Sequence, residues 1–386
     1  MKLNKQNLSR TPIGNVVDCV EKHDKNSLQS GLTNFVGLEN IDSGSLKIIG
    51  SGKIADGTTF SKTFKSGDVL FGKRRAYLRK VAVADFDGIC SGDILVFRAK
   101  ENRLLPDLLP YYVSSDSFIN YAISTSAGSL SPRTKWRDLA VYEIPLPPID
   151  EQQRLAELFQ NIEQTIIYTD EQEKNLRKMC KSLIDGLISD KPSFGNLLKG
   201  KKLKQVRYCE IAQKLTRRID PVDYGIVRII AGENLEAEDF KIRTWGTVGK
   251  DFLGPAFHVL FQAGDILYGS RRTYLKKVAL ADFEGVCANT TYVIRANEEF
   301  LLQDLLKHIM LSERFTQYSI GVSKGSTNPY INWKDLDNFV FEIPDLETQR
   351  VIADLLDEIL ANAEKVREQK ENLKKLKRKL LNEILG

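Results

Sequence analysis

The sequence predicts an α+β protein in which two similar mixed α/β modules are joined by two long antiparallel coiled-coil helices, forming an internal pseudo-twofold repeat. Three observations lead to this fold class: one stretch occurs twice at a spacing of 197 residues, a helix-forming segment follows each copy, and the two segments share a heptad pattern. The predicted order is a first module at 1–148, a first helix at 149–190, a second module at 191–344 and a second helix at 345–386.

The repeat runs without a gap over 33 positions. Residues 67–99 and 264–296 are identical at 19 of these positions, including both arginines of the RR pair and the tyrosine that follows. The stretch GSLSPRTKWRDL, which begins at Gly128, then faces GSTNPYINWKDL, which begins at Gly325, at the same spacing. Chance does not produce such agreement, so the two modules are expected to share one fold.

Each module has the pattern of a mixed α/β unit. The runs DVLFG, VAVADF and DILVFRA in the first copy, and DILYG, VALADF and TTYVIRA in the second, are short, favour strands and are broken by glycine or charged turns. A segment with helical spacing follows in each copy, LPDLLPYYVSSDSFINYA and EEFLLQDLLKHIMLSERFTQY.

The segments after the modules are rich in Glu, Gln, Lys and Leu, and Pro148 and Pro344 stand just before them. An unbroken helix of about 40 residues is roughly 60 Å long, which suits a spacer. If the repeats are related by translation alone, the two half-apolar helices lack partners unless other chains cover them, so a twofold arrangement with antiparallel, paired helices is favoured. The predicted seams are Leu155, Leu158, Ile162, Thr165, Thr169, Gln172, Leu176, Met179 and Leu183, and Ile352, Leu355, Ile359, Asn362, Val366, Gln369, Leu373, Leu376 and Leu380.

The composition argues against several classes of protein. No run approaches the roughly 18 apolar residues of a membrane span, and the stretch MKLNKQNLSR lacks the apolar core of a signal peptide, so a cytoplasmic protein without membrane attachment is expected. The five cysteines include no C-x-x-C pair, which favours reduced thiols, with Cys90 and Cys287 buried at matching positions. The sequence contains no complete metal, phosphate-loop or cofactor motif, so a non-catalytic binding subunit with no cofactor or metal of its own is predicted.

The repeated segments KRRAYLRK and SRRTYLKK are the candidate DNA-binding segments. The net charge is only +5, but residues 201–218 hold seven Lys/Arg against one Glu, and residues 364–386 hold eight against four. Guanidinium and ammonium groups suit phosphate oxygens, and a tyrosine hydroxyl can add a hydrogen bond. The predicted DNA-binding residues are Lys73, Arg74, Arg75, Tyr77 and Lys80 in the first module and Arg271, Arg272, Tyr274 and Lys277 in the second, and Arg79 and Lys276 belong to the same clusters.

The residue types alone are about equally compatible with a solvated hairpin rim, and it is the repetition that favours DNA. A pseudo-twofold protein with a recognition module at each end of a spacer matches the local dyad of duplex DNA. Residues shared by both modules cannot distinguish two different half-sites, so base recognition is expected where the copies diverge. The divergent stretches are 43–62 and 103–127 in the first module and 237–259 and 300–324 in the second.

In these motifs and their order, the sequence resembles the specificity subunit of type I restriction-modification systems over essentially its whole length. The motifs are GDVLFGKRRAYLRKVA, GDILYGSRRTYLKKVA, PLPPIDEQQRLAELF and IPDLETQRVIADLL. The resemblance implies two target-recognition domains, each of which reads one half of an asymmetric, bipartite site in double-stranded DNA, with the helices fixing the gap. One departure is Ser270 in place of Lys73, which predicts unequal binding of the two halves if Lys73 contacts phosphate.

The resemblance also implies partners. Two methyltransferase subunits are expected to bind the chain, restriction subunits to join for cleavage, and S-adenosylmethionine, ATP and magnesium to belong to these partners. Two other hypotheses stay open at this stage. A structural coiled-coil adaptor would keep the helices but gives no reason for two matched basic modules, and a self-contained DNA-modifying enzyme would need the metal or cofactor motifs that the sequence lacks.

Overall fold

The computed structural model describes residues 9–100, 102–251 and 254–386 and divides into two compact units. Unit 1 comprises the described chain up to Asp170 together with Glu368–Gly386, and unit 2 comprises Glu171–Arg367. Each long helix therefore contributes to both units, with its N-terminal part beside the module that precedes it. Most of the stretch MKLNKQNLSR, for which no signal peptide was predicted, lies outside the described residues.

Unit 1 contains two four-stranded sheets, of order β2-β9-β6-β7 and β4-β3-β8-β5, and a separate pair, β1-β10. The strands are β1 (Ser9–Pro12), β2 (Val17–Cys19), β3 (Asn34–Val36), β4 (Gly52–Lys53), β5 (Lys62–Phe64), β6 (Val69–Gly72), β7 (Val81–Val83), β8 (Gly88–Cys90), β9 (Ile94–Ala99) and β10 (Glu143–Leu146). β3 and β8 run parallel, and the other pairs are antiparallel.

The sheet containing β6 and β9 is buried on both faces, and its apolar residues do not alternate with polar ones. Leu70 and Val96 face the second sheet, whereas Phe71 and Phe97 face the helices of the unit. These helices are α1 (Leu109–Ser114), α2 (Asp116–Ser124), α3 (Trp136–Leu139) and the first part of α4 (Ile149–Leu187). A strand that is apolar at every position in this way is typical of a sheet covered on both sides.

Unit 2 repeats this architecture, with sheets of order β12-β19-β16-β17 and β14-β13-β18-β15 and a pair β11-β20. The strands are β11 (Lys204–Arg207), β12 (Ala212–Leu215), β13 (Arg228–Ile230), β14 (Gly246–Thr247), β15 (Phe257–Phe261), β16 (Ile266–Gly269), β17 (Val278–Leu280), β18 (Gly285–Ala288), β19 (Thr291–Ala296) and β20 (Val340–Ile343). The helices are α5 (Tyr208–Ile211), α6 (Gln303–Ile309), α7 (Glu313–Gly321), α8 (Trp333–Leu336) and α9 (Leu346–Ile384). The predicted fold class of two similar α/β modules with two long helices is confirmed.

A buried glutamine at the start of each long helix fixes that helix to its module. Gln152 is 1% exposed; its Nε2 donates to the carbonyls of Pro147 (2.9 Å) and Arg103 (3.0 Å), and its Oε1 accepts from the amide of Leu105 (2.9 Å). Gln349 makes the equivalent three bonds in unit 2. Gln152 of the PPIDEQQR motif and Gln349 of the IPDLETQR motif are therefore structural residues.

The two long helices run antiparallel where they pair in unit 1. Lys377 forms an ion pair with Glu163, and Lys370 contacts Asp170 at 2.9 Å, so residue numbers rise on one helix as they fall on the other. In unit 2, Arg177 on α4 lies 3.8 Å from Glu364 on α9. The predicted pairing of the helices is thus present within each unit.

The most buried stripe of each long helix differs from the predicted seam at alternate positions, although Thr165, Thr169, Gln369, Leu373 and Leu376 of the predicted seams line one groove between the paired helices in unit 1. Cys180 is 5% exposed and Met179 is 46% exposed, although Met179 was the predicted seam residue. One stripe of buried residues on α4 follows steps of four and then three from Leu155 to Glu173: Leu155, Phe159, Ile162, Ile166, Thr169 and Glu173. The module decides between the two overlapping apolar stripes, as when the ring of Tyr111 stacks on Phe159 at 4.9 Å. The same shift on α9 buries Leu356 and leaves Leu355 39% exposed.

Candidate nucleic-acid interface

Each basic segment forms the loop of a β-hairpin, between β6 and β7 in unit 1 and between β16 and β17 in unit 2. A short 3-10 turn lies in each loop, at Ala76–Leu78 and Thr273–Leu275. The residues flanking these turns are left-handed, with φ of 54° at Arg75 and 50° at Arg272. A left-handed residue other than glycine costs about 1–2 kcal/mol, so the surrounding structure must hold this shape in both copies.

The support comes from the Gly-Ser segment found in the sequence repeat. The amide of Arg75 donates to the carbonyl of Pro132 at 2.8 Å, and the amide of Arg272 donates to that of Pro329 at 2.7 Å. Isolated β-bridges also join Arg74 to Arg133 in unit 1 and Arg271 to Tyr330 in unit 2. The segments that begin at Gly128 and Gly325 therefore brace the hairpins.

The predicted DNA-binding residues fall into two groups by exposure. Arg75, Tyr77, Arg271, Arg272 and Tyr274 are exposed, and both tyrosines have the same exposed fraction, 51%. Those that are only partly exposed are Lys73, Arg74, Lys80 and Lys277.

Lys80 and Lys277 anchor their own hairpins. The Nζ of Lys80 donates to the carbonyl of Leu38 at 2.6 Å, and the Nζ of Lys277 donates to that of Gly232 at 2.5 Å. Both acceptors belong to the segment that follows the parallel strand of the second sheet, at β3 and β13. The two lysines therefore join the sheets of their modules and have fewer free donors than the sequence implied.

Arg74 is held by a network that its repeat partner lacks. Its Nη2 donates to Ser131 Oγ at 3.0 Å, its Nη1 lies 3.5 Å from Asp93, and its Nε is buried without a hydrogen-bond partner. Asp93 also accepts from Arg133 at 2.7 Å, and this guanidinium holds the pKa of the Asp93 carboxyl below its usual range.

In the second module the positions of Asp93 and Arg133 are taken by Thr290 and Tyr330. Among the residues that the structure describes, Arg271 has no ion pair with a carboxylate. The difference between the hairpins is therefore larger than the replacement of Lys73 by Ser270, and sequence reasoning missed Asp93. The signal was present, because Asp93 has no acidic counterpart at the 197 spacing.

Arg79 and Lys276, at the other end of each turn, bind a carboxylate at the start of a short helix. Arg79 forms an ion pair with Asp116, the first residue of α2, and Lys276 binds Glu313, the first residue of α7, at 2.7 Å. Hydrogen bonds, first from Lys276, lower the pKa of Glu313 from 4.5 to about 2. These two basic side chains are thus occupied within the chain.

The same carboxylates also reach the long helices. Asp116 accepts from Arg378 at 2.8 Å, and Glu313 lies 3.6 Å from Lys181, which is the repeat equivalent of Arg378. Burial opposes ionisation of Asp116, but hydrogen bonds from Arg378 and Asn382 and the charge of Arg79 outweigh it and lower its pKa. In each unit, one carboxylate therefore ties the basic hairpin to the long helix packed beside it.

Two further features of the described residues bear on function. Cys90 and Cys287 are buried, as predicted, and burial raises the pKa of both thiols to about 12. None of the described helices has the length and apolar composition that a membrane span requires.

The described residues form two equivalent α/β modules, each with a basic hairpin that its Gly-Ser segment braces in the same way. The family model for the type I restriction modification DNA specificity domain matches residues 24–178 and 204–375, and the chain belongs to this family. It is a specificity subunit, the non-catalytic component that recognises DNA within a type I restriction-modification complex.

Several known proteins are similar to this chain. The EcoDI specificity subunit of Escherichia coli is 31% identical over 124 residues, which is 32% of this chain and 27% of that protein. The MjaVIII specificity subunit of Methanocaldococcus jannaschii is 23% identical over 355 residues, covering 83% of this chain and 76% of that protein.

Solved structures support the fold. The type I restriction-modification S subunit from M. genitalium has a TM-score of 0.57 and is 14% identical, with 100% of this chain and 98% of that chain covered. A chain from a study of complex assembly and conformational transition in a type I system also has a TM-score of 0.57 and is 21% identical, with 97% and 96% covered.

Proposed function

We propose that the two hairpins hold the phosphates of double-stranded DNA, one at each half of an asymmetric bipartite site. The observation that carries this proposal is the repeated shape: Arg75 and Arg272 are left-handed and exposed, and Tyr77 and Tyr274 are exposed to the same extent. Phosphates look alike at every step of a duplex, so two hairpins of the same shape suit them, whereas different base sequences require surroundings that differ.

The hairpins contribute unequally in this proposal. Asp93 offsets the charge of Arg74 and Arg133 in the first module, whereas Arg271 lacks such a counterion among the described residues. We expect Arg75, Arg271 and Arg272 to supply more of the phosphate binding than Arg74, because an arginine already engaged by a carboxylate gains less from a phosphate.

The long helices set the gap between the half-sites and receive two methyltransferase subunits. Exposed apolar residues of the long helices support such docking: Ile149, Tyr168 and Leu376 in unit 1, and Met179, Val351 and Leu355 in unit 2. Restriction subunits join for cleavage. S-adenosylmethionine, ATP and magnesium are supplied by these partners, and the complex acts in the cytoplasm.

Single-molecule sequencing of methylated adenines tests the proposal. DNA from cells that express this chain together with its methyltransferase should carry one split motif, and DNA from cells that express either protein alone should carry none. A motif without the chain, or no motif with both proteins present and assembled, would reject the proposal in favour of the adaptor hypothesis.

Exchange of residues 1–148 for the same module of a relative tests the modular part. One half of the motif should change, and the other half and the gap should stay. A change in both halves would show that the modules do not read independently.

A further inference from the structure

A second basic segment, Lys214–Arg218, begins at the same end of the sheet strands as the hairpin loop of unit 2. β12 and β16 both pair antiparallel with β19, one on each side, so they run in the same direction. Leu215 at the end of β12 lies opposite Val293, and Gly269 at the end of β16 lies opposite Thr291. The chain that follows β12, Thr216–Arg218, therefore leaves the sheet on the side where the basic hairpin begins.

Side-chain contacts connect this segment to the hairpin. The Nζ of Lys214 lies 4.1 Å from the ring centroid of Tyr292, and the Tyr292 hydroxyl donates to the carbonyl of Ile331 at 2.6 Å. The amide of Ile331 in turn donates to the carbonyl of Ser270, the first residue of the hairpin loop, at 2.9 Å. Lys214 is thus linked to the start of the hairpin loop, and Arg217 and Arg218 follow it by three and four residues, where their backbone pairs with β15.

The arginines here are exposed and free of carboxylates. Arg217 and Arg218 are both exposed, and no ion pair of either is found within 9–100, 102–251 and 254–386. Nearby Asp220 accepts hydrogen bonds from the backbone amides of Val222 and Asp223. By contrast, Arg243 of unit 2 is bound by three carboxylates, those of Glu236, Asp239 and Glu364.

The loop beyond these arginines contains a turn and presents an aromatic ring. Ile219 and Ile226 are buried and anchor the loop, whereas Tyr224 between them is 57% exposed. The guanidinium carbon of Arg217 lies 5.6 Å from the Tyr224 ring centroid. A planar guanidinium held over a ring keeps its paired N–H donors oriented, which is the arrangement a two-donor contact with a base requires.

The first module has a different surface at the same place. The amide of Leu260 donates to the carbonyl of Arg217, and the amide of Thr63, its repeat equivalent, donates to that of Lys22. The isolated β-bridges show the same equivalence of positions: Arg218 pairs with Val259, and His23 pairs with Lys62, the repeat equivalent of Val259. The neighbouring acid Glu21 forms an ion pair with Lys62 at 3.0 Å in the first module, and Thr216 stands at its position in the second. The surface therefore differs between modules, as a base-reading surface must.

We propose that Arg217, oriented by Tyr224, reads a guanine in the half-site of the second module. The O6 and N7 atoms of guanine accept two parallel hydrogen bonds in the major groove, and arginine is the side chain that most often makes this contact. This inference rests on the proposed function, and it places base recognition in a segment outside the divergent stretches expected from the sequence.

The test compares methylation motifs made by the full complex containing Arg217→Lys, Arg217→Ala or the matched control Arg218→Lys. The lysine keeps the charge but loses the fork, so it preserves a phosphate contact and abolishes two-donor recognition. Both Arg217 variants should relax one G·C pair of one half-site, reducing its preference over other pairs by about 5- to 150-fold. Arg218→Lys should leave the motif unchanged.

The exchange of residues 1–148 identifies the half-site that belongs to the second module. An unchanged motif in both Arg217 variants, relaxation in the other half, or a second-module half-site made only of A·T pairs would each overturn the inference while the split motif remains. Loss of the split motif in the unaltered complex would instead reject the proposed function. Competition binding by the purified complex with duplexes altered at each position of the half-site provides the same readout if a variant methylates slowly.

Discussion

Replacement of Gln152 by alanine is expected to detach the start of α4 from the first module. The side chain is 1% exposed and makes three hydrogen bonds, to Leu105, Arg103 and Pro147. A hydrogen bond of this kind contributes about 0.5–1.5 kcal/mol, so the three together predict a loss of roughly 1.5–4.5 kcal/mol in the free energy of unfolding. Urea unfolding of the full chain, followed by tryptophan fluorescence, measures this loss.

Gln153 provides the matched control on the same helix. Its side chain is exposed and, among the described residues, bonds only to Glu157, at 3.1 Å, so Gln153→Ala should change the free energy of unfolding by less than about 0.5 kcal/mol. Gln349→Ala should behave like Gln152→Ala because it removes the same three contacts in unit 2. Equal, small effects of Gln152→Ala and Gln153→Ala would refute the assignment of the motif glutamine as the anchor of the helix.

Three other predictions follow from the contacts. Arg74→Ala with Arg75→Ala should weaken binding of all DNA sequences alike and reduce the slope of log K against log salt by roughly one per lost phosphate contact; altered base preference at an unchanged slope would assign these residues to base reading instead. One heptad inserted into both long helices should lengthen the gap of the methylated motif or abolish methylation, and an unchanged gap would show that the helices do not set it. The lowered pKa of Glu313 contributes stability that is present above pH 4.5 and is lost as the pH falls from 4.5 to about 2, so Glu313→Gln should flatten this part of the acid unfolding curve, and identical curves would contradict the Lys276 pairing.

The sequence predicted the repeated architecture because duplication makes every feature appear twice. The hairpins, the strands on either side and the long helices lie where the aligned motifs indicated. The most buried stripe of each helix lies one position from the predicted seam at alternate steps, because Leu158 and Phe159, or Met179 and Cys180, give apolar stripes of similar strength. Only the module core decides between them, and that choice depends on contacts such as Tyr111 with Phe159, which are distant in sequence.

The roles of individual basic residues were less predictable, because the sequence does not show whether a basic side chain forms an ion pair with a carboxylate elsewhere in the chain. Arg79 and Asp116 are 37 residues apart, and nothing local in the sequence pairs them. The repeat nevertheless contained the information: Arg79, Asp116 and Arg378 recur as Lys276, Glu313 and Lys181 at a constant spacing. A position that keeps its charge in both copies but changes its residue type can therefore indicate an ion pair within the chain, and not only a DNA contact.

The triads formed by these residues explain how recognition and spacing can be coupled. In unit 1, Asp116 binds Arg79 of the hairpin and Arg378 of the long helix, and Glu313 does the same with Lys276 and Lys181 in unit 2. A hairpin that could pivot on its sheet would let the bound phosphates move relative to the helix, and a helix could not then fix a gap. Because one carboxylate holds both elements in each unit, the position of the hairpin is set with respect to the helix packed beside it. Arg79 and Lys276, which belong to the same basic clusters as the predicted DNA contacts, therefore hold the hairpins that carry the neighbouring arginines.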